Sequence, residues 1–241
     1  MVLEELLKME EMLWRVKVKT RWLGEDDANT HFFYLSTIIH RRYNSINQIL
    51  SSDNSWLTNW IDIGEEFQMY YTQIFATYCP SFPNDLNGLF QPCLTFEHNR
   101  TLMIIPSGRN SQHAIFSMGS FKSPGPDGMT FTFYKKYWNI VGPKVMEVIQ
   151  DIFRTRKLPS SFNNPFIALI PKANHASKVD QFRPILLCNV VFKVVTKIMD
   201  GRIQGLLEGI IHHSHAAFVP NRSIGDNSII NHEVMHYLKR K

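Results

Sequence analysis

Phe166-Ile167-Ala168-Leu169-Ile170-Pro171-Lys172 and Phe182-Arg183-Pro184-Ile185-Leu186-Leu187-Cys188 are two short apolar runs separated by a polar stretch, residues 173–181. Such runs, bounded by turn residues, read as buried or paired strands. Paired across the polar loop they form a hairpin in which Lys172 leaves the first strand and Arg183 enters the second. An ammonium and a guanidinium then share one surface. That pair suits a triphosphate, because the planar guanidinium fork grips phosphate oxygens in a bidentate manner and the ammonium acts as a compact point charge. From spacing alone the simpler account is favoured: two ordinary strand-end charges, since exposed Lys and Arg are common.

Away from the hairpin, helical periodicity dominates. On its C-terminal side Phe192, Val195, Met199 and Leu206 mark one helix, and Ile230, Val234, Tyr237 and Leu238 a last one, for which Ser223 is the candidate cap. On its N-terminal side Tyr134, Trp138 and Val141 make a helical face that Gly142-Pro143 should interrupt. Val145, Val148, Ile149, Ile152 and Phe153 then make a second, with Pro143 in its first turn. Ala114-Ile115-Phe116 ends a short helix, and Ser123 to Gly128 is a Pro/Gly loop. Ile63, Phe67, Tyr70, Tyr71, Ile74 and Phe75 repeat at three and four, a strong helical signature. A polar connection is expected from about Cys79 to Asn99.

Asn44 to Leu50 alternates as a strand does, Asp53-Asn54-Ser55 is a turn, and Trp56-Leu57 returns as a hairpin. Asp26-Asp27-Ala28-Asn29-Thr30 supplies turn and cap residues for a helix from His31, and Met1 to Lys19 reads as an exposed amphipathic helix. The sum is a helix-rich α+β fold with a small sheet, organised as residues 1–100 and 101–241.

Composition sets limits on the function class. In 241 residues, 44% hydrophobic and 12% aromatic content argues for a globular chain. Lys and Arg exceed Asp and Glu by 26 to 21, a net charge of +5, which points weakly to an anionic partner such as nucleic acid. Three dispersed cysteines, Cys79, Cys93 and Cys188, form neither a disulfide framework nor a CxxC zinc motif. No signal peptide or membrane-length apolar stretch is present, so the expectation is an intracellular protein, nuclear or cytoplasmic, without a membrane partner.

Several segments occur in a fixed order: Trp22-Leu23 with Asn29-Thr30-His31-Phe32-Phe33, Ala114-Ile115-Phe116-Ser117-Met118, Lys122-Ser123-Pro124-Gly125-Pro126-Asp127-Gly128, Phe133-Tyr134 with Tyr137-Trp138, Leu158-Pro159, Leu169-Ile170-Pro171-Lys172, Phe182-Arg183-Pro184-Ile185, and Ala216-Ala217-Phe218-Val219-Pro220-Asn221-Arg222. In this order and spacing they resemble the reverse transcriptase of plant LINE-type (non-LTR) retrotransposons. Asp26 stands where that family usually has Gly, and His31 where it has Lys. The resemblance implies the fingers sheet of a right-hand polymerase with the palm missing, an RNA template and an incoming deoxynucleotide as partners, and Mg²⁺ for the full-length enzyme. It matches Lys172 and Arg183 to the residues that hold the nucleotide. Lys122, Arg222 and Asn227 become candidates for nucleic-acid contact, whereas the Pro-Gly-Pro-Asp-Gly run reads as a rigid turn.

No catalytic residue or resident cofactor is expected in this chain. Two-metal nucleotidyl transfer needs carboxylates that hold both ions, and neither a Tyr-x-Asp-Asp nor an Asp-x-x-Lys-Ala-Tyr-Asp segment occurs in the 241 residues. Glu25-Asp26-Asp27 sits in a capping context, and His212-His213-Ser214-His215 lacks the partners of a closed metal site. The expectation is a truncated fragment of an RNA-directed DNA polymerase, inactive alone. The alternative is a non-catalytic basic RNA-binding module.

Overall fold

The computed structural model describes Glu5, Leu6, Met9 and residues 30–76, 93–212, 214–217 and 219–239. Most of the expected N-terminal helix, the acidic cap expected for the helix from His31, the start of the Trp22–Phe33 motif, the first part of the connection from Cys79, His213 and Phe218 lie outside the described residues. Glu5, Leu6 and Met9 are helical. The fold is α+β and helix-rich, with two small two-stranded sheets. The chain divides into two compact units that interleave in sequence: Met1–Pro80 with Ile167–Leu186, and Ser81–Phe166 with Leu187–Lys241.

In the first unit, α1 (Thr30–Tyr43) ends in a basic turn of His40, Arg41 and Arg42, which suits the negative end of a helix dipole. β1 (Ile49–Leu50) pairs antiparallel with β2 (Trp56–Leu57), Ile49 opposite Leu57 and Leu50 opposite Trp56. The expected strand over 44–50 shrinks to its last two residues. Asn44 and Ser45 spend their amides on the His40 and Arg42 carbonyls at the end of α1 instead. The turn forms as expected: Asn54 takes φ 64°, and the Asp53 carboxylate accepts from Ser55 Oγ at 2.7 Å and Ser55 N at 3.0 Å. Those bonds, the hydroxyl first, hold the Asp53 carboxyl below its usual pKa.

α2 (Trp60–Phe75) starts at Asn59, whose side chain accepts from Ile61 N, and buries the stripe Ile63, Phe67 and Tyr71. The third wall of that small core comes from the later hairpin. β3 (Phe166–Pro171) and β4 (Phe182–Leu187) pair, and Val179 and Phe182 join Ile49, Ile63, Phe67 and Tyr71 in one cluster. Phe182 meets the Phe67 ring edge-on at 5.2 Å, and the Tyr71 hydroxyl donates to the Phe182 carbonyl at 3.4 Å. Each buried aromatic side chain contributes about 1.5–3 kcal/mol, so the hairpin is integral to this unit.

The second unit is helical. α3 (Phe96–Met103) begins inside the stretch expected to be a plain connection. Thr95 and His98 form a reciprocal capping box there, a device that local polarity conceals because His replaces the usual Glu or Gln. α4 (Gly108–Ser117) opens on a second capping box, Ser107 with Asn110. α5 (Phe131–Lys136) and α6 (Trp138–Thr155) are separated at Tyr137, and α6 runs unbroken through Gly142-Pro143. The expected interruption at that dipeptide, with Pro143 in a first turn, is therefore corrected. The Trp138 ring lies against Gly142, where an added Cβ would come 2.8 Å from the indole, and Val145, Ile149 and Ile152 on the same helix are buried. Packing outweighs the one hydrogen bond that proline removes.

α7 (Val190–Ile210) contributes Val190, Val191, Val194, Val195 and Ile198 to the core, together with Ile115, Phe131 and Ile149. Arg202 of α7 donates to the Leu102 carbonyl at 2.9 Å and stacks over Phe153, and partial burial lowers its pKa. α8 (Ile224–Leu238) is capped by the Ser223 hydroxyl, as expected, and leaves Ile229, Ile230, Val234 and Tyr237 exposed. Among the described residues no helix is long and apolar enough to cross a membrane.

Candidate nucleic-acid interface

Lys172 and Arg183 are brought onto one element, the β3–β4 hairpin. Lys172 N donates to the Gln181 carbonyl at 2.8 Å, which closes the loop between the two strands at its base. Leu169 and Phe182 pack into the core, and Pro171 faces the same side as Phe182. Side chains alternate along a strand, so Lys172 and Arg183, each one residue further on, share the opposite, solvent-facing side. Both are exposed. Lys172 Nζ donates to the Asp180 carbonyl at 2.6 Å, which fixes the ammonium beside the loop and leaves two of its three protons available. Arg183 makes no hydrogen bond or ion pair among the described residues.

Lys122 belongs to the second unit. Its side chain is exposed at the end of the turn closed by Lys122 N and the Gly119 carbonyl. The Pro/Gly loop that follows is a clamped structural element, in keeping with its reading as a rigid turn. Gly128 N donates to the Gly125 carbonyl at 3.0 Å, Gly128 takes φ 69°, and Asp127 Oδ1 accepts from Met129 N. The buried Asn189 reaches across: its Oδ1 accepts from Asp127 N at 3.4 Å, and its Nδ2 donates to the Ser161 carbonyl. Lys193 Nζ donates to the Ser123 carbonyl at 2.6 Å. Sequence reasoning missed Asn189 and Lys193. The available signal was the placement of one amide and one cation in the otherwise apolar Leu186–Val195 run.

Arg222 and Asn227 are engaged with main chain. The Arg222 guanidinium donates to the carbonyls of His212 at 2.7 Å, His215 at 2.9 Å, Ile211 at 3.2 Å and Glu208 at 3.5 Å. It thereby caps the C-terminus of α7 and ties down the histidine loop, satisfying carbonyls that the helix end leaves free. Asn227 Nδ2 donates to the Ser214 carbonyl at 3.1 Å. The residues expected to contact nucleic acid therefore divide into cations with free donors and donors already bound to backbone.

Among the described residues no three His, Cys, Asp or Glu side chains gather where they could hold a metal ion. The described residues do not make up the Mg²⁺ centre that the resemblance implies for a full-length polymerase.

No family model matches the sequence. The chain is 25% identical over 242 residues to the transposon TX1 uncharacterized 149 kDa protein of Xenopus laevis, across 98% of this chain and 18% of that protein. The chain thus spans less than a fifth of the relative it matches. Near end-to-end alignment, with the hairpin and the clamped loop both inside it, relates this chain to a transposon-encoded protein.

Proposed function

We propose that this chain is the fingers part of the RNA-directed DNA polymerase of a non-LTR retrotransposon, and that its hairpin holds the triphosphate of an incoming deoxynucleotide. The carrying observation is the placement of Lys172 and Arg183 on one solvent-facing side of β3–β4, with the Arg183 guanidinium unpaired among the described residues and the Lys172 ammonium braced on Asp180 O. The Xenopus laevis relative supports a transposon origin. Arg183 supplies the bidentate fork and Lys172 the point charge, and the Phe182–Phe67 contact anchors the strand that carries Arg183. Lys122 adds an exposed cation for template phosphate.

The test is a fluorescence titration of the 241-residue protein with a mant-labelled deoxyadenosine triphosphate. Arg183→Gln should weaken binding about tenfold, the equivalent of about 1.4 kcal/mol, with an unchanged circular dichroism spectrum. Equal affinity in wild type and variant, or no saturable binding by wild type, rejects the reading.

A further inference from the structure

The other face of the same hairpin borders a cleft of about 560 Å³, built from the end of α1, the segment before β1 and the β3–β4 loop. Five of its lining residues are Arg42, Asn47, Gln48, Asn174 and His175. All five are exposed, and none of their side chains bonds or pairs with another group among the described residues. Pro171, Phe182 and Tyr43 add apolar and ring surface to the lining. Among the described residues no Asp or Glu lines the cleft, so no described group in it compensates a cationic ligand.

The walls are set before any ligand arrives. Leu50 N donates to the Ser177 carbonyl at 2.7 Å, which ties the loop to β1. Gln181 Oε1 accepts from Ser177 N at 2.8 Å and Lys178 N at 3.2 Å, which braces the loop from within. His175 takes φ 60°, a left-handed conformation that turns the chain at the loop tip. A preorganised cleft of several hundred cubic ångströms, lined by both apolar surface and free donors, has the form of a small-molecule site. Its formal charge comes from a guanidinium, its amides offer both donors and acceptors to a heterocycle edge, and its rings offer stacking faces.

We propose that this cleft binds a nucleoside monophosphate unit, with the phosphate on Arg42 and the base against the amide and ring side chains. The proposal goes beyond the fingers reading and does not rest on Lys172 or Arg183, which face the other side of the hairpin. The unit can come from a free mononucleotide or from one residue of an RNA strand, and the experiment separates them.

The 241-residue protein is titrated with a fluorescein-labelled ten-nucleotide RNA by anisotropy, and with adenosine monophosphate by calorimetry. Arg42→Gln should weaken whichever probe binds about tenfold. Ala173→Glu, which adds bulk and negative charge at an exposed lining position, should weaken it at least as much. Both variants should keep the wild-type circular dichroism spectrum and the wild-type affinity for mant-labelled deoxyadenosine triphosphate, while Arg183→Gln should weaken the triphosphate and leave adenosine monophosphate binding unchanged. Direct binding of adenosine monophosphate identifies a mononucleotide site. Sensitivity of RNA binding alone to both cleft variants identifies a strand residue. Unchanged affinity of both probes in Arg42→Gln and Ala173→Glu, or no binding of either probe to wild type, overturns the proposal. Loss of triphosphate binding in Arg183→Gln leaves it standing.

Discussion

Gly125 and Asn189 are in such close register that a Cβ on the glycine would lie 2.2 Å from Asn189 Oδ1 and 2.4 Å from Asn189 N. The next nearest atom, the Cys188 carbonyl carbon at 2.6 Å, is also backbone and cannot rotate away. The Pro-Gly-Pro-Asp-Gly turn therefore rests directly on the start of α7.

Gly125→Ala should destabilise the second unit by about 1–3 kcal/mol or more, because the clash includes main-chain atoms of Cys188 and Asn189 that no side-chain rotation relieves. Thermal unfolding monitored by circular dichroism should show a midpoint several degrees lower. Gly205→Ala, where an added Cβ meets nothing within 4 Å, should leave the midpoint unchanged or raise it. Equal midpoints for Gly125→Ala and wild type would remove the clamp.

Arg222→Lys should loosen the loop after α7 nearly as much as Arg222→Ala does. A single ammonium cannot reproduce a fork that reaches four carbonyls, and the loss should cost about 1–3 kcal/mol. Hydrogen exchange of the Ile211–His215 amides should accelerate in both variants. Retained protection in the lysine variant would show that charge alone suffices.

Nucleic-acid affinity should depend on salt through the exposed cations. About three phosphate contacts from Lys122, Lys172 and Arg183 give a slope of log K against log salt near two on a single strand. Arg183→Gln should lower that slope by about 0.7, and Arg222→Gln should leave it unchanged. A salt-independent affinity would exclude these cations as phosphate ligands.

Both units should lose stability in alkali. Burial raises the Tyr71 phenol above its usual pKa, with the neighbouring Tyr70 adding to the effect, and burial does the same for Tyr134, with Asp127 adding to it. A phenol whose folded pKa is raised keeps its proton longer in the native state than in the unfolded chain. Stability is thus full below the unfolded value of about 10 and falls as pH rises through the folded value. Denaturant midpoints measured from pH 8 to 11 should be flat and then decline, and Tyr71→Phe should flatten the decline of the first unit. A midpoint that rises above pH 10 would contradict the sign.

Most elements were legible locally. The three-four spacing of Ile63, Phe67 and Tyr71 gave α2, and the paired apolar runs gave β3 and β4, because helix and strand periods are properties of neighbouring residues. Local reading failed where a nearby rule met a distant contact. Gly142-Pro143 looks like a breaker, yet Trp138 and the buried face of α6 carry the helix through it. Thr95 with His98 caps a helix that composition hides.

The sequence by itself determined the α+β class, the hairpin strands and the two cations at its ends. Only the tertiary structure decided which face of that hairpin is buried, which cations stay free and where a cleft opens. Arg222 is a basic residue in sequence but a backbone clasp in space, and Asn189 is unremarked in sequence but holds a turn 62 residues away. Period and composition are set within a few residues, whereas burial and hydrogen-bond partners depend on which remote segment completes each core. That is a long-range property of the folded chain.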